Sequence, residues 1–247
     1  MTHASTSTSG TAEQLSKLEY RNWLALGHAL TTVLCRGLRP FITREMKTFY
    51  RNIKARIPGP CTCVHVSRRK PNEYHDMSTC RWASIIEAHH HRNKPNWKQS
   101  DPAKWMDPSL GPWEIAKVFL PEWRGHVDIK SADDMDITGI LNVMYWCNHF
   151  TVHQPLIEEV RDTRNNQWVH VPKLELTDAE KTDAFITIEN LLKDPQLARD
   201  SDAQKALKEI VNLRKVSDWH SLEAQVLADF KEVLNRGPRE PKMKLNN

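Results

Sequence analysis

The heptapeptide RNNQWVH, residues 164–170, contains three side chains whose chemistry suits a phosphodiester. A histidine such as His170 can give and take a proton near neutral pH, and an arginine such as Arg164 holds a phosphate through a rigid fork of donors. The amide of Asn165 can hold a hydroxyl or a phosphate oxygen. RNA supplies its own nucleophile, the 2′-hydroxyl, so cleavage needs only an acid–base group and a cation, and no metal.

The spacing alone leaves a plainer interpretation open. Five residues intervene between Arg164 and His170, and on one α-helix the two side chains would be rotated by ~240° and would not share a face. They converge only if the helix ends between them or if a second copy of the chain supplies the partner. Pro172 favours a helix end close to His170. An Arg and a His in a last helical turn are also favoured by the helix dipole alone.

A second group of residues has the chemistry of a structural zinc site. Cys61, Cys63, His65 and Cys80 lie in or beside a proline-broken loop that a metal would stabilise. Against zinc, the CTC spacing is unusual and the chain has no CxxC pair. The alternative is thiols packed as small apolar side chains.

Two further patterns fit either a nucleic-acid partner or ordinary structure. Basic residues recur from Arg44 to Arg56 and again at SRRK, residues 67–70, where they would track a phosphate backbone or form a solvated face. Four tryptophans would stack bases or anchor an irregular segment to a bundle; they are Trp97, Trp105, Trp113 and Trp123.

Composition sets the broad class. The chain has 247 residues, is 39% hydrophobic and carries a net charge of +4, which is compatible with a polyanion partner without requiring one. Its first residues lack the pattern of a signal peptide, and its longest apolar stretch is too short and polar to span a bilayer. We therefore expect an intracellular, cytoplasmic protein with no membrane partner, and a nuclear location stays open. Disulfides are not expected.

The elements that must position these residues are helical. Apolar residues recur at helical spacing through most of the chain, which predicts an all-α fold, a helical bundle with an irregular insertion rich in Trp, Pro, Cys and His. The predicted organisation is a flexible arm over 1–11, one helical domain over 12–235 with the insertion at 58–112, and a basic flexible tail over 236–247.

Local signals predict where several helices begin and end. Gly37 predicts the end of the first helix, and Pro40 the first turn of a second that runs to Ile57. Ser131 is the predicted N-cap of the helix that precedes residue 150. Capping-box spacing occurs at Thr177 with Glu180 and again at Ser201 with Gln204. A last helix is predicted around 222–230.

Several motifs in a fixed order resemble HEPN domains. EVRDTRNNQWVHV resembles the HEPN signature, in which an Arg, usually followed by a polar residue, is separated from a later His by four to six intervening residues. PWEIAKVFLP followed by DDMDITGILNVMYWCNHF resembles the corresponding segments of the DZIP-like HEPN branch.

The resemblance is closer to an uncharacterised vertebrate family encoded by an X-chromosome open reading frame. The shared motifs are EYRNW at 19–23, GHAL at 27–30, the Arg44–Glu45 pair, the segment 82–93, the segment 113–121, CNHF at 147–150 and RNNQWVH. The resemblance spans about residues 20–220.

The HEPN resemblance implies a fold and an activity. HEPN domains are bundles of four to five helices that pair as homodimers, so that two Arg–His motifs face one cleft, and many are metal-independent endoribonucleases. On this chain Arg164 would stabilise charge at phosphorus, His170 would be the general acid or base, Asn165 would hold the 2′-hydroxyl or phosphate, and Glu159 would orient Arg164. The products would carry 2′,3′-cyclic phosphate ends, and no cofactor is required. Other HEPN domains are catalytically silent and bind RNA or protein partners, which is the alternative function.

Overall fold

The computed structural model describes residues 17–57, 59–61, 80–121 and 128–215. Within these ranges the backbone is helical or irregular, and the β-pairing consists of one isolated antiparallel bridge between His90 and Cys147. The all-α fold predicted from the apolar spacing is confirmed. The predicted arm at 1–11, the tail at 236–247 and the helix around 222–230 lie outside the described residues.

The chain divides into two compact units. One comprises Met1–Arg36 and Glu158–Asn247, and the other comprises Gly37–Ile157. We call them the terminal unit and the central unit. The residues of RNNQWVH all belong to the terminal unit, whereas Cys61 and Cys80 of the predicted zinc site belong to the central unit.

The first helical stretch contains a π-helical segment. Helix α1 spans Leu18–His28, the π-helix π1 spans Ala29–Leu34, and helix α2 spans Cys35–Lys54. The prediction that Gly37 ends a helix and that Pro40 begins another was wrong, because both lie inside α2. An interior proline costs about 3 kcal/mol. Apolar residues buried at helical spacing along α2 offset that cost; they are Leu38, Phe41, Ile42, Met46, Phe49 and Ile53.

Helix α6, Gln154–Thr163, enters the terminal unit at Glu158. The unit continues with a second π-helix π2, Arg164–Val169, and with helices α7, Asp178–Leu192, and α8, Ser201–Lys215. Here α7 packs on α8 and on α1, α8 packs on π1, and π2 packs on α1. The core of the unit is built from the apolar stripes of these helices; its fully buried residues include Leu26, Leu30, Val33, Phe185, Ile188, Leu191 and Ile210.

The two predicted capping boxes had different outcomes. Thr177 caps α7 as predicted, since its Oγ1 accepts from the Glu180 N–H at 3.3 Å while Glu180 Oε2 accepts from the Thr177 N–H at 2.8 Å. Ser201 does not cap α8. Asp200 does, because its Oδ1 accepts from the N–H groups of Asp202 and Ala203 at 3.0 and 2.9 Å. A carboxylate next to a hydroxyl is an equally good N-cap, so the prediction was displaced by one residue.

The central unit contains most of α2, helix α3, Arg81–Ala88, helix α4, Gly111–Ala116, and helix α5, Ile137–Trp146. Short 3₁₀ turns connect them at Trp97–Gln99, Pro102–Lys104, Lys117–Phe119 and Ala132–Asp134. Residues 117–119 pack on α5 and on the turn at 97–99. Large buried side chains fill the core of this irregular region; they include Phe49, Trp82, Trp105 and Phe119.

The N-cap of α5 also differs from the prediction. Ser131 precedes the 3₁₀ turn and donates its hydroxyl to Asp134 Oδ2 at 3.0 Å, and Met135 is extended, so the helix cannot start there. Asp136 is the cap, and its Oδ1 accepts from the Gly139 N–H at 2.8 Å. Acidic side chains at 133, 134 and 136 offered three competing local acceptors, and the chain used the last of them for the helix.

Candidate active site

The RNNQWVH motif lies on a wide helical turn. Helix α6 passes directly into π2, and His170 is the residue that ends it. The His170 N–H donates to the carbonyl oxygen of Asn165, five residues earlier, at 3.0 Å. This bond spans five residues, as in a π-helix, and places His170 one turn beyond Asn165. A regular α-helix, considered in the sequence analysis, would have bonds that span four residues. Single π-turns inside helices occur frequently at functional sites.

Arg164 and Asn165 are joined through their side chains. The guanidinium Nη1 donates to Asn165 Oδ1 at 2.8 Å, and both side chains are half-buried, whereas His170 is exposed. This bond fixes the amide so that its NH₂ group faces away from the guanidinium donor. The motif therefore presents a cation, an amide donor and an exposed imidazole within seven residues.

Glu159 lies on α6, five residues before Arg164, and its side chain is exposed. In the described part of the chain, no hydrogen bond or ion pair joins Glu159 to Arg164, whose Nη1 donates to Asn165 Oδ1. The role of Glu159 in orienting Arg164 therefore stays a prediction.

Trp168 anchors π2 to α1. Its carbonyl oxygen accepts from Trp23 Nε1 at 2.8 Å, and the two indole rings stack with centroids 6.3 Å apart. Its Nε1 lies against Gly27, where an added Cβ would approach within 2.4 Å. Only glycine fits at this contact, so Gly27 fixes where π2 lies on α1. An isolated glycine within a helix was the only sequence signal of this close approach.

The segment that follows His170 also returns to α1. Asn22 is buried, and its Nδ2 donates to the Leu176 carbonyl at 3.1 Å and to Asp178 Oδ1 at 2.8 Å. The Leu176 N–H donates to the carbonyl of Glu19 at 2.9 Å. These bonds hold both ends of residues 164–178 against one helix, which restricts where His170 can point.

The predicted zinc ligands are only partly described. The sulfur atoms of Cys61 and Cys80 lie 3.5 Å apart, well beyond the S–S bond length of about 2.05 Å in a disulfide. Cys63 and His65 lie outside the described residues. Within the described part of the chain, no group of three His, Cys, Asp or Glu side chains is placed to hold a metal ion. The zinc site therefore stays a prediction.

The histidine run of the central unit is partly buried. His90 is 6% exposed, and its ring stacks between Phe119 and Trp146 at centroid distances of 5.7 and 5.5 Å. Its Nδ1 accepts from the backbone N–H groups of Arg92 and Lys94 at 3.2 and 3.4 Å. Burial, with a smaller contribution from His91, lowers the pKa of His90 from 6.5 to about 4.

This depressed pKa predicts an acid-sensitive fold. As the pH falls from 6.5 to 4, the unfolded chain binds a proton at position 90 before the folded chain does, so the free energy of unfolding falls in that window and is unaffected by His90 above it. The expected loss is roughly 3 kcal/mol, since one pKa unit corresponds to about 1.4 kcal/mol. Denaturant unfolding from pH 7 to 4.5 should show a shallower decline for His90→Gln than for wild type. His91→Gln removes only the smaller of the two contributions to the lowered pKa, so its decline should lie between those of wild type and His90→Gln; equal slopes in all three proteins would contradict the assignment.

Other candidates from the sequence separate into core and surface. Trp105 and Trp113 are buried, Trp97 is half-buried, and Trp123 lies outside the described residues.

Burial raises the pKa of the Cys147 thiol well above its ordinary value, so this thiol is not a nucleophile. Along α2, Arg44, Lys47 and Arg51 are exposed at spacings of three and four, which places them on one face of the helix.

Comparison with known proteins identifies a family. The model of the family described as "Domain of unknown function (DUF4559)" matches residues 14–247. The chain belongs to this family. It is also similar to the "Uncharacterized protein CXorf38 homolog" of Mus musculus, with 32% identity over 192 residues, which cover 74% of this chain and 58% of the mouse protein. No solved structure matches the chain.

The comparison confirms the resemblance to the X-chromosome open-reading-frame family. The DUF4559 match, residues 14–247, includes π2, His170 and every other residue that the structure describes. The matched region spans 58% of the length of the mouse relative. The activity and the partners of the protein are therefore given below as proposals. None of the helices in the described ranges has the length and apolar character needed to cross a membrane.

Proposed function

We propose that this DUF4559 chain is a HEPN-type protein that acts on RNA, as a metal-independent endoribonuclease. The observation that carries the proposal is the π-turn of residues 164–170, which joins Arg164 to Asn165 by a 2.8 Å hydrogen bond and ends at the exposed His170. The resemblance of this motif and its flanking segments to HEPN domains supports the same chemistry.

Each residue of the motif has a defined part in the proposed reaction. His170 removes the proton from the 2′-hydroxyl or gives one to the leaving 5′-oxygen. The 2′-oxygen then attacks the adjacent phosphorus, the bond from phosphorus to the 5′-oxygen breaks, and the products carry a 2′,3′-cyclic phosphate and a 5′-hydroxyl. Arg164 stabilises the added negative charge on the phosphoryl oxygens, and Asn165, held by Arg164, donates its amide N–H to the phosphate.

A homodimer completes the proposed site. As in HEPN domains, two copies would pair so that both Arg–His motifs face one cleft. Charge supports an RNA partner, since the central unit exposes the basic stripe of Arg44, Lys47 and Arg51 and the whole chain has a net charge of +4. Exposed cations of this kind attract a phosphate backbone without reading its sequence.

A substrate that lacks the nucleophile tests the mechanism. A single-stranded RNA and the same strand with 2′-deoxy sugars at the mapped cleavage positions are incubated with the protein in excess EDTA. We expect cleavage of the all-ribose strand, with 2′,3′-cyclic phosphate ends, and no cleavage at the deoxy positions. Cleavage of both strands, or loss of all activity in EDTA with restoration by a divalent metal, would contradict the proposed chemistry.

The alternative is a catalytically silent HEPN module that dimerises and binds RNA or a protein. It is favoured by exposed apolar side chains of π2 and α1, since Val169, inside π2, is 39% exposed and Leu18, in the first turn of α1, is 53% exposed. Exposed apolar groups of this kind occur at protein interfaces. Binding of RNA without cleavage of any ribose strand would favour this alternative.

A further inference from the structure

Three aromatic side chains form a ladder in the terminal unit. Tyr20 stacks on Trp23 with ring centroids 5.7 Å apart and an interplanar angle of 29°. Trp23 stacks on Trp168 at 6.3 Å and 28°. All three residues are half-buried, so each keeps part of its surface in contact with solvent. We call this set of Tyr20, Trp23 and Trp168 the aromatic ladder.

The ladder is fixed before any partner binds. Trp23 Nε1 donates to the Trp168 carbonyl at 2.8 Å, and Gly27 provides the space that the Trp168 indole occupies, since a Cβ there would lie 2.4 Å from Trp168 Nε1. The backbone bond from Leu176 to Glu19 at 2.9 Å holds the chain beside Tyr20. A rigid aromatic surface binds a flat ligand with little loss of conformational entropy.

One residue of the ladder, Trp168, belongs to the Arg–His motif itself. Trp168 belongs to the same π-helix as Arg164 and Asn165 and precedes His170 by two residues. A ligand that lies on the exposed part of Trp168 is therefore on the same helical turn as Arg164, four residues earlier in the chain. Flat apolar surface beside a fixed cation matches the two parts of a nucleotide, a base and its phosphate.

We propose that the aromatic ladder binds unpaired nucleobases that flank the phosphate held by Arg164, and that the substrate is single-stranded RNA. The inference deepens, and rests on, the proposed action on RNA. Bases within a duplex are already stacked and paired, so they cannot lie on the ladder, whereas bases in loops and single strands can. Every base can stack on an aromatic ring, so the ladder distinguishes single-stranded RNA from duplex RNA and does not distinguish one base sequence from another.

Aromatic and arginine side chains are also abundant at protein interfaces. RNA is the occupant favoured here because Trp168 shares π2 with Arg164, whose fork of donors suits a phosphate. The amide of Asn165 and the exposed imidazole of His170 belong to the same motif. A protein partner is instead one of the outcomes that the test distinguishes.

The test uses a fluorescent single-stranded RNA with 2′-O-methyl sugars, which the proposed reaction cannot cleave. Its affinity for the full chain is measured by anisotropy, with an RNA duplex as the comparison. We expect wild type to prefer the single strand, Tyr20→Leu to bind it about tenfold more weakly, and Tyr20→Phe to bind it like wild type. Ile186→Ala, which removes an exposed side chain from α7 outside the ladder, should bind like wild type; thermal unfolding monitors the fold of each variant.

The outcomes that overturn the inference differ from the outcome that refutes the endoribonuclease. Unchanged affinity of folded Tyr20→Leu for the single strand, or equal affinity of wild type for duplex, would show that the ladder does not bind bases. If Tyr20→Leu instead dissociates a dimer in sedimentation experiments while RNA affinity stays unchanged, the ladder is a protein interface. Ladder-dependent binding with no cleavage of ribose RNA would leave this inference intact and refute the endoribonuclease.

Discussion

His170→Ala is expected to lower the rate of RNA cleavage by about 10²–10⁴-fold, the contribution that a positioned acid or base makes to proton transfer. The structure makes this substitution a clean test, because His170 is exposed and ends π2 through its backbone N–H and not through its side chain. The substitution should therefore leave folding unchanged. Single-turnover cleavage of tRNA in excess EDTA measures the effect.

His153→Ala is the matched control, because His153 is also an exposed histidine, at the other end of α6. It should cleave at the wild-type rate. Arg164→Ala should lower the rate by about 10²–10³-fold, since one charge-stabilising group is removed. If His170→Ala cleaves as fast as wild type, the imidazole is not the proton-transfer group and the proposed assignment of the motif is refuted.

Glu114→Ala is expected to destabilise the protein by about 3–5 kcal/mol, which is the cost of leaving one member of a buried ion pair without its partner. Lys117 Nζ lies 2.8 Å from Glu114 Oε1, and the two side chains are only 3% and 6% exposed. The other carboxylate oxygen, Oε2, accepts from the Asp101 N–H at 2.8 Å. The loss is a large fraction of the 5–15 kcal/mol that stabilises a typical domain, and denaturant unfolding measures it.

A double variant tests whether an unpaired buried charge causes the loss of stability in Glu114→Ala. Glu114→Gln with Lys117→Met removes both charges, and it should recover much of the stability lost in Glu114→Ala because no unpaired charge is left in the core. Lys104→Ala breaks the ion pair between Lys104 and Asp101, whose side chains are 48% and 45% exposed, and should cost less than 1 kcal/mol. Equal losses in Glu114→Ala and Lys104→Ala would show that burial does not determine the cost.

Patterns that act within a few residues were predictable from the sequence. Apolar spacing predicted an all-α fold, and the structure confirms it. Thr177 and Glu180 form the predicted capping box, and the helix that carries RNNQWVH ends at His170, close to the position that Pro172 indicated. In each case the interacting groups lie within one or two turns, so tertiary context has little influence on the result.

The predictions that failed involved competition between a local preference and a distant contact or neighbour. Gly37 and Pro40 favour a helix break, but the side chains that α2 buries outweigh that preference. Ser131 and Ser201 are good caps, yet Asp136 and Asp200 occupy those positions. Sequence spacing does not measure burial or rank two adjacent caps, so it could not settle these positions.

The sequence by itself determined the residue types of the candidate site, Arg164, Asn165 and His170, and the helical class of the elements that hold them. Only the tertiary structure revealed that the site lies on a π-turn and that an aromatic ladder adjoins it. The reason is that Trp168 contacts Trp23 and Gly27, which lie about 140 residues earlier. Contacts between such distant residues depend on how whole helices pack, and no local spacing encodes them.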